Sequence, residues 1–547
     1  MLRPAWPAIV LVAAGACAER TTTTSTAPAP SASAASLPAP SASVEAPAPE
    51  EDAAVAESAD AGAPAATGPL IATKNLVAYI YDKPRRDAAH VGVLRVGSRI
   101  RRSAEPADPL GCNGPSAKWY AVEPTGFMCV TMDGVTLDVD DPAVTLAARF
   151  PPRRDQPFPY GYGTSFGTPL YVRAPTAEEQ KKLEGNVADH IASMAKVRAK
   201  LSDKKRWPEQ VFAQPSEIPP ELANHALSPA ITDTKLASGA IVAGRGWPDW
   251  RMSFLTSFDV DGRVFYLTHE HFLVPFDRVR PAKPPYEFEG VELAAPDQPG
   301  VHLPIVWVNW HDVPLYVYDE AKRGVRPTKE TLPLQAYVQV KAQPLMLGGA
   351  KFHELLADPP NAAEPGARYV VKDGPVFRVD ALGEVPANVG ANDVWIDVAI
   401  ASQTLVLYRG TTPLWATLVS TGVDGAGDPE KTKSTPRGLW RIRSKHITAR
   451  MAGEEKPPAQ EGGKPDPRYR VDDVPYVQYF HAGYALHGAY WHDNFGTPRS
   501  HGCINLSPKD ALYLFKHTTP NVPEGWHGVY GGVGGIESGT WIHVRVY

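Results

Sequence analysis

Short alternating runs of apolar and polar residues dominate the chain, and helical periodicity is scarce. Val77-Ala78-Tyr79-Ile80-Tyr81-Asp82 and Val91-Gly92-Val93-Leu94-Arg95-Val96-Gly97 read as strands. Trp119-Tyr120-Ala121-Val122 then precedes Gly126-Phe127-Met128-Cys129-Val130. Such runs, separated by Gly, Pro and Asp turns every 8 to 15 residues or so, predict a small β barrel over 74–140. Thr176-Ala177-Glu178-Glu179 has the form of a capping box and predicts a helix over 177–204 that runs through Gly185. Arg263 to Thr268 reads as a strand continuing into His269-Glu270-His271, where alternating His with no third ligand suggests an exposed edge. Pro314-Leu315-Tyr316-Val317-Tyr318-Asp319 echoes the first run and Ala336 to Val340 follows it, so a second barrel is expected over 300–385. Asp393 to Ile400 and Gln403 to Tyr408 form a hairpin pattern, and Pro413 to Ser420, Arg437 to Arg443 and Thr540 to Val546 supply further strands. After Ser507-Pro508-Lys509-Asp510, the residues Ala511, Leu512, Leu514 and Phe515 fit a short amphipathic helix. The expected fold class is mainly β. It has a β-rich domain over 391–547 and a partly helical α+β stretch over 150–300 to which the pattern assigns no role.

Composition changes the picture at the N-terminus. Ala8 to Ala16 is an apolar run behind Arg3, shorter than the roughly 20 residues a membrane span needs, and reads as a secretory signal over 1–17. Ala14-Gly15-Ala16-Cys17 resembles a bacterial lipobox, which implies a lipid on Cys17; plain cleavage before Ala18 is the alternative. Residues 21–70 hold 17 Ala and 8 Pro with no aromatic residue, Lys or Arg, so 18–70 is expected to be a disordered tether. The protein is therefore expected to be exported to the periplasm or cell envelope and anchored by lipid. With 547 residues, three or four domains are expected. Lys+Arg of 55 against Asp+Glu of 60 gives no general attraction for nucleic acid. The order of features in 74–140 resembles bacterial SH3-like domains, which accompany cell-wall enzymes and bind wall peptides, and the 300–385 region would be a second such module. Cys112 and Cys129, in an exported protein, are expected to form a disulfide stabilising by roughly 3 kcal/mol.

The fourth cysteine lies in Ser500-His501-Gly502-Cys503-Ile504-Asn505. A thiol is nucleophilic only as thiolate and needs a base or positive field nearby. His501 and His487 are the candidates; in an extended strand His501 and Cys503 would share a face. Gly502 lets backbone approach a substrate carbonyl, and neighbouring N–H groups can form an oxyanion hole. Cys plus His points to acyl transfer. A buried core cysteine and a zinc site of His487, His492, His501 and Cys503 are the alternatives that spacing leaves open.

Leu486-His487-Gly488, twelve intervening residues and then His501-Gly502-Cys503-Ile504-Asn505 resemble the active-site signature of YkuD-type L,D-transpeptidases. Ser420-Thr421-Gly422 and Thr435-Pro436-Arg437-Gly438, leading into Trp440 and Ile442, also match that family's pattern. The resemblance implies that Cys503 attacks the L-centre-to-D-Ala bond of a peptidoglycan tetrapeptide stem, releasing D-Ala and leaving a thioester. It makes His487 the base, oriented by a main-chain carbonyl around Gly488. His501, Gly502 and Cys503 supply oxyanion-hole N–H groups, and the His501 side chain shapes the site. Arg499, Ser500, Asn505, Gly488 and a lid tyrosine, Tyr469, are the expected substrate-site residues, with Asn505 bracing the loop. Residues 452–468 read as a mobile lid. No cofactor or metal is implied. The acceptor decides the outcome: a stem amine gives a 3→3 cross-link, a protein lysine gives attachment of an outer-membrane protein, and water gives hydrolysis. A non-catalytic wall-binding scaffold is the rival of another class.

Overall fold

The computed structural model describes residues 68–107, 112, 117–201, 215–229, 239–282, 288–295, 297–452 and 470–547. Cys17, the signal and almost all of the tether lie outside these residues, as do Tyr469 and all of the expected lid but Ala452. No helix among the described residues is long and apolar enough to cross a membrane.

The N-terminal module is a set of short strands. Leu70–Thr73 pairs with Arg99–Arg101 and with Val135–Thr136, and Ala78–Tyr81 pairs with His90–Leu94. Ile71, Ile80, Val91, Leu94 and Met128 are buried between them. Cys112 and Cys129 are joined as a disulfide, with their Cα atoms 6.2 Å apart. In the middle region the Thr176 hydroxyl and the Glu179 carboxylate complete the capping box. The helix it starts is not continuous, however: it ends at Glu184, Gly185 takes φ 70°, and a second helix runs Val187–Leu201. Glycine in that left-handed conformation ends a helix at no steric cost.

The exposed-edge expectation for His269 and His271 is also overturned. The strand stops at Leu267, and both imidazoles are buried in the turn that follows. His271 Nδ1 meets Pro229 O at 2.9 Å, and His269 Nδ1 lies 2.9 Å from an Asp473 oxygen. These polar partners are what allow two histidines into the interior. The 300–385 region holds a three-stranded and a five-stranded sheet around Val306, Leu315, Val340 and Val371.

In the C-terminal domain the hairpin Val394–Ala399/Thr404–Arg409 is in register as its alternation requires, and Trp541–Arg545 adds to it in parallel. The second layer is built on two long strands, Ser444–Ala452 and Arg470–His481. These do not form a domain sheet of their own. Arg470–His481 pairs in parallel with Pro248–Phe254 of the middle region at Arg251↔Val471. Ser444–Ala452 pairs with Gly528–Tyr530, which in turn pairs with His90–Leu94 of the N-terminal module. One twelve-stranded sheet thus runs through three segments of the chain.

Candidate active site

Two short strands place the cysteine and histidine. Tyr484–Gly488 and Ile504–Leu506 lie in parallel, with Leu486 opposite Ile504, His487 opposite Asn505 and Gly488 opposite Leu506. Side chains alternate between the faces of a sheet. Leu486, Ile504 and Leu506 enter the core with Ile396, Leu407 and Phe480, so His487 and Asn505 point to the other face. Cys503 directly precedes Ile504, at the end of the bend that leads into the strand beside that of His487. Residues 501–503 are a bend and not a strand, so the alternation that would pair His501 with Cys503 does not apply. Gly502 turns the chain there at φ 119°, and a Cβ on it would sit 2.4 Å from the Tyr484 ring. His501 is exposed, Gly502 buried and Cys503 half-buried.

The loop is braced by the two auxiliary motifs. Ser420 and Asn505 exchange both backbone hydrogen bonds at 2.9 Å. The Arg499 and Ser500 N–H groups donate to Thr421 O at 2.8 and 3.0 Å. Gln403 locks Thr421 in turn, accepting from its N–H at 2.8 Å and donating to its hydroxyl at 2.7 Å. The Gly422 N–H donates to the Thr435 hydroxyl at 3.0 Å, and a Cβ on Gly422 would lie 2.0 Å from Lys433 O.

The electrostatics favour a neutral resting pair. Burial pushes the Cys503 thiol up to about 11, partly offset by the Ala485 N–H. Burial pushes His487 down to about 4, against the pull of the Gly488 carbonyl. His487 Nδ1 lies 3.2 Å from Gly488 O. A carbonyl oxygen only accepts, so Nδ1 carries the proton and Nε2 keeps its lone pair for base work. The thiol's nearest hydrogen-bond acceptor is Gly483 O, at 3.9 Å.

Other expected site residues divide. Ser500 is buried, donating to Cys503 O and accepting from the Gly502 N–H at 3.0 Å. The Gly502 N–H is therefore turned to a side chain and not toward a substrate oxygen, which removes it from the expected oxyanion donors. The Asn505 amide nitrogen lies 2.9 Å from His492 Nε2, which makes it a brace rather than a substrate contact. Gly488 is buried, with Pro508, Ala511 and Pro475 all within 3.4 Å of where a Cβ would stand. Arg499 is exposed, and its guanidinium reaches the Asn494 side-chain oxygen at 2.9 Å when that amide is oriented to accept.

Sequence reasoning missed three neighbours. Tyr479 is opposite Ala485, beside the thiol, and burial followed by the charge of Cys503 pushes its phenol up to about 12. The Trp491 ring lies 5.8 Å from the His487 ring, and Arg251 of the middle region sits 5.5 Å over Trp491. Tyr479 lies in the strand Arg470–His481, which the sequence pattern did not assign, and nothing local flags Arg251.

The L,D-transpeptidase catalytic-domain family (YkuD) matches residues 393–544. Among solved structures, an L,D-transpeptidase of Enterococcus faecium is 21% identical over 28% of this chain and 50% of its own, with a TM-score of 0.20. One from Stackebrandtia nassauensis is 22% identical over 29% of this chain and 58% of its own, at 0.19. One from Mycobacterium smegmatis is 18% identical over 36% of this chain and 91% of its own, at 0.21. The chain thus spans about half the length of the Enterococcus faecium protein it matches. No curated protein matches it. Residues 393–544 are a YkuD-type L,D-transpeptidase catalytic domain.

Proposed function

We propose that the protein is a peptidoglycan L,D-transpeptidase in which Cys503 is the nucleophile and that it forms 3→3 cross-links. The observation that supports this is the parallel pairing of the His487 strand with the strand that Cys503 leads into, together with a His487 Nδ1 facing the Gly488 carbonyl, which leaves Nε2 for base work. In the reaction, His487 Nε2 takes the Cys503 proton as Sγ attacks the carbonyl of the L-centre-to-D-Ala bond. The oxyanion falls to the N–H groups of His501 and Cys503. The amide C–N bond breaks, His487 returns the proton to the leaving D-Ala amine, and a thioester remains. A diaminopimelate amine then attacks the thioester, gives its proton to His487 and expels the thiolate, which recovers that proton. A thioester conserves enough of the amide's free energy for an amine, and not only water, to complete transfer. The likeness of 74–140 to SH3-like wall-binding modules and the lipid on Cys17 belong to the same reading: an enzyme held at the envelope and directed to its polymer.

Intact-protein mass measurement with a carbapenem tests the nucleophile. The wild type is expected to gain one adduct and Cys503→Ala none; an unmodified wild type, or the same adduct on Cys503→Ala, refutes the mechanism. Muropeptide analysis with purified enzyme tests the acceptor. New 3→3 dimers with released D-Ala are expected, and tripeptides alone would make it a hydrolase.

A further inference from the structure

Three cavities follow one another along the shared sheet, and the last has in its wall Tyr479, whose phenol is within electrostatic reach of Cys503. The first, of about 720 Å3, lies between the N-terminal module and the middle region and includes Trp250 and Glu270 in its wall. The second, of about 360 Å3, shares Leu76, Val77 and Arg450 with the first. The third, of about 520 Å3, shares His446, Tyr479 and Tyr530 with the second. Strand register explains why they line up. Tyr530 is opposite Ser444, Ser444 is opposite Tyr479 and Tyr479 is opposite Ala485, so these four side chains stand in one row on one face. In the parallel register of Leu486 with Ile504, Cys503 is the residue that leads into the sheet next to Ala485. His90 of the N-terminal module lies in the wall of the third cavity.

The lining changes along this path. The third cavity has phenols, imidazoles and the Ser444 hydroxyl in its wall beside Ala482 and Val533, with Arg443 exposed. Aromatic faces and neutral hydrogen-bonding groups suit sugar rings and peptide amides. At the far end both signs of charge appear: Glu270 lies between Arg450 and Arg470, and Lys74 and Asp141 are close by. That mixture suits a ligand carrying both amines and carboxylates. Cavities in series of this size suit a polymer, a glycan with more than one attached stem, better than a single tetrapeptide stem.

We propose that the three cavities are one extended cleft, roofed by the N-terminal module, that binds a glycan-linked peptidoglycan strand and presents its stem to Cys503. This rests on the L,D-transpeptidase reading. Val77 is the place to test it: it is 44% exposed, belongs to the wall shared by the first two cavities and makes no contact with the reacting groups. Val77→Trp is expected to leave carbapenem acylation and turnover of an isolated tetrapeptide within twofold of wild type. Its kcat/KM for soluble glycan-linked strands is expected to fall at least tenfold. In an inactive Cys503→Ala background, Val77→Trp should likewise weaken binding of those strands at least tenfold by calorimetry. Equal losses on the strand and the isolated tetrapeptide, or no loss of strand binding, overturn the cleft. A loss confined to a lysine-peptide acceptor overturns it in favour of a protein acceptor. The binding measurement does not depend on turnover, so a failure of the catalytic reading leaves it intact and distinguishable.

Discussion

A thiol held near 11 beside an imidazole held near 4 predicts how Cys503 should behave toward a simple alkylating agent. At pH 7, only about one thiol in ten thousand is ionised. A thiolate–imidazolium pair would instead be fully formed between the two values and react at a constant rate across that range. The rate of iodoacetamide modification of Cys503 is therefore expected to rise about tenfold per pH unit from 6 to 10, with no plateau near neutrality. His487→Ala should leave that rate within about threefold at pH 7, because the imidazole holds no charge on the thiol's behalf. The same substitution should slow carbapenem acylation by about 10²- to 10⁴-fold, the usual contribution of a positioned general base. Stopped-flow acylation and mass-resolved alkylation, read on the same samples, separate the two effects. A plateau in alkylation between pH 5 and 8, or equal loss in both reactions on removing His487, would refute the neutral-pair argument.

Gly422→Ala places a Cβ against the Lys433 carbonyl, a backbone atom that cannot swing aside. It is expected to cost roughly 1–3 kcal/mol in urea unfolding and to slow carbapenem acylation at least tenfold, since Thr421 O holds the Arg499 and Ser500 N–H groups. Asp510, fully buried at the start of the helix Pro508–His517, accepts from the Thr417 hydroxyl and the Gly290 N–H, and burial pushes its carboxyl up to about 7. The folded carboxyl thus keeps its proton where the unfolded one, near 3.8, has lost it. Its stabilising contribution is present below about pH 4 and lost as pH rises through 7. Wild type should accordingly lose roughly 4 kcal/mol relative to Asp510→Asn between pH 4 and 8, and a constant difference between the two unfolding curves would contradict it.

Strands were legible in the sequence wherever alternation was clean. Val394–Ala399 and Thr404–Arg409 come within one residue of their expected ends, and the helix after Ser507 begins at its hydroxyl cap. The signature was legible because its residues stand close together in the sequence, and the register of Leu486 with Ile504 brings the His487 strand beside the one that Cys503 leads into. What the signature hides is its scaffolding: Ser500 and Asn505 spend their polar groups on the loop itself, and Gly502 turns its N–H to Ser500. Gly185 was read as tolerated within a helix, but nothing packed there opposed its left-handed conformation, and the helix divides. His269 and His271 were misread because their burial depends on Asp473 and Pro229, which are far away in the chain. No local pattern carries a partner 42 or 204 residues distant.

The long-range contacts also give residues 150–300 a place that their own sequence withheld. A strand pair such as Ser444–Ala452 and Arg470–His481 would, alone, present open edges that invite pairing with other chains. Here Pro248–Phe254 pairs with one edge, and Gly528–Tyr530 followed by His90–Leu94 extends the other. A single carboxylate ties the three segments. Asp473 is buried and meets Arg95 from the N-terminal module, Ser253 and His269 from the middle region, and the Thr448 hydroxyl at 2.8 Å from the catalytic domain itself. Those partners hold its carboxyl well below the usual range despite its burial. Removing any one of them would leave part of a buried charge uncompensated, and such losses are far larger than the net gain of forming the pair. The same strand of the middle region carries Arg251 to the Trp491 ring that lies against His487. The segments before residue 393 are thus built into the sheet that positions the thiol, and a catalytic domain cut out at its family boundary would expose Asp473 and both sheet edges at once.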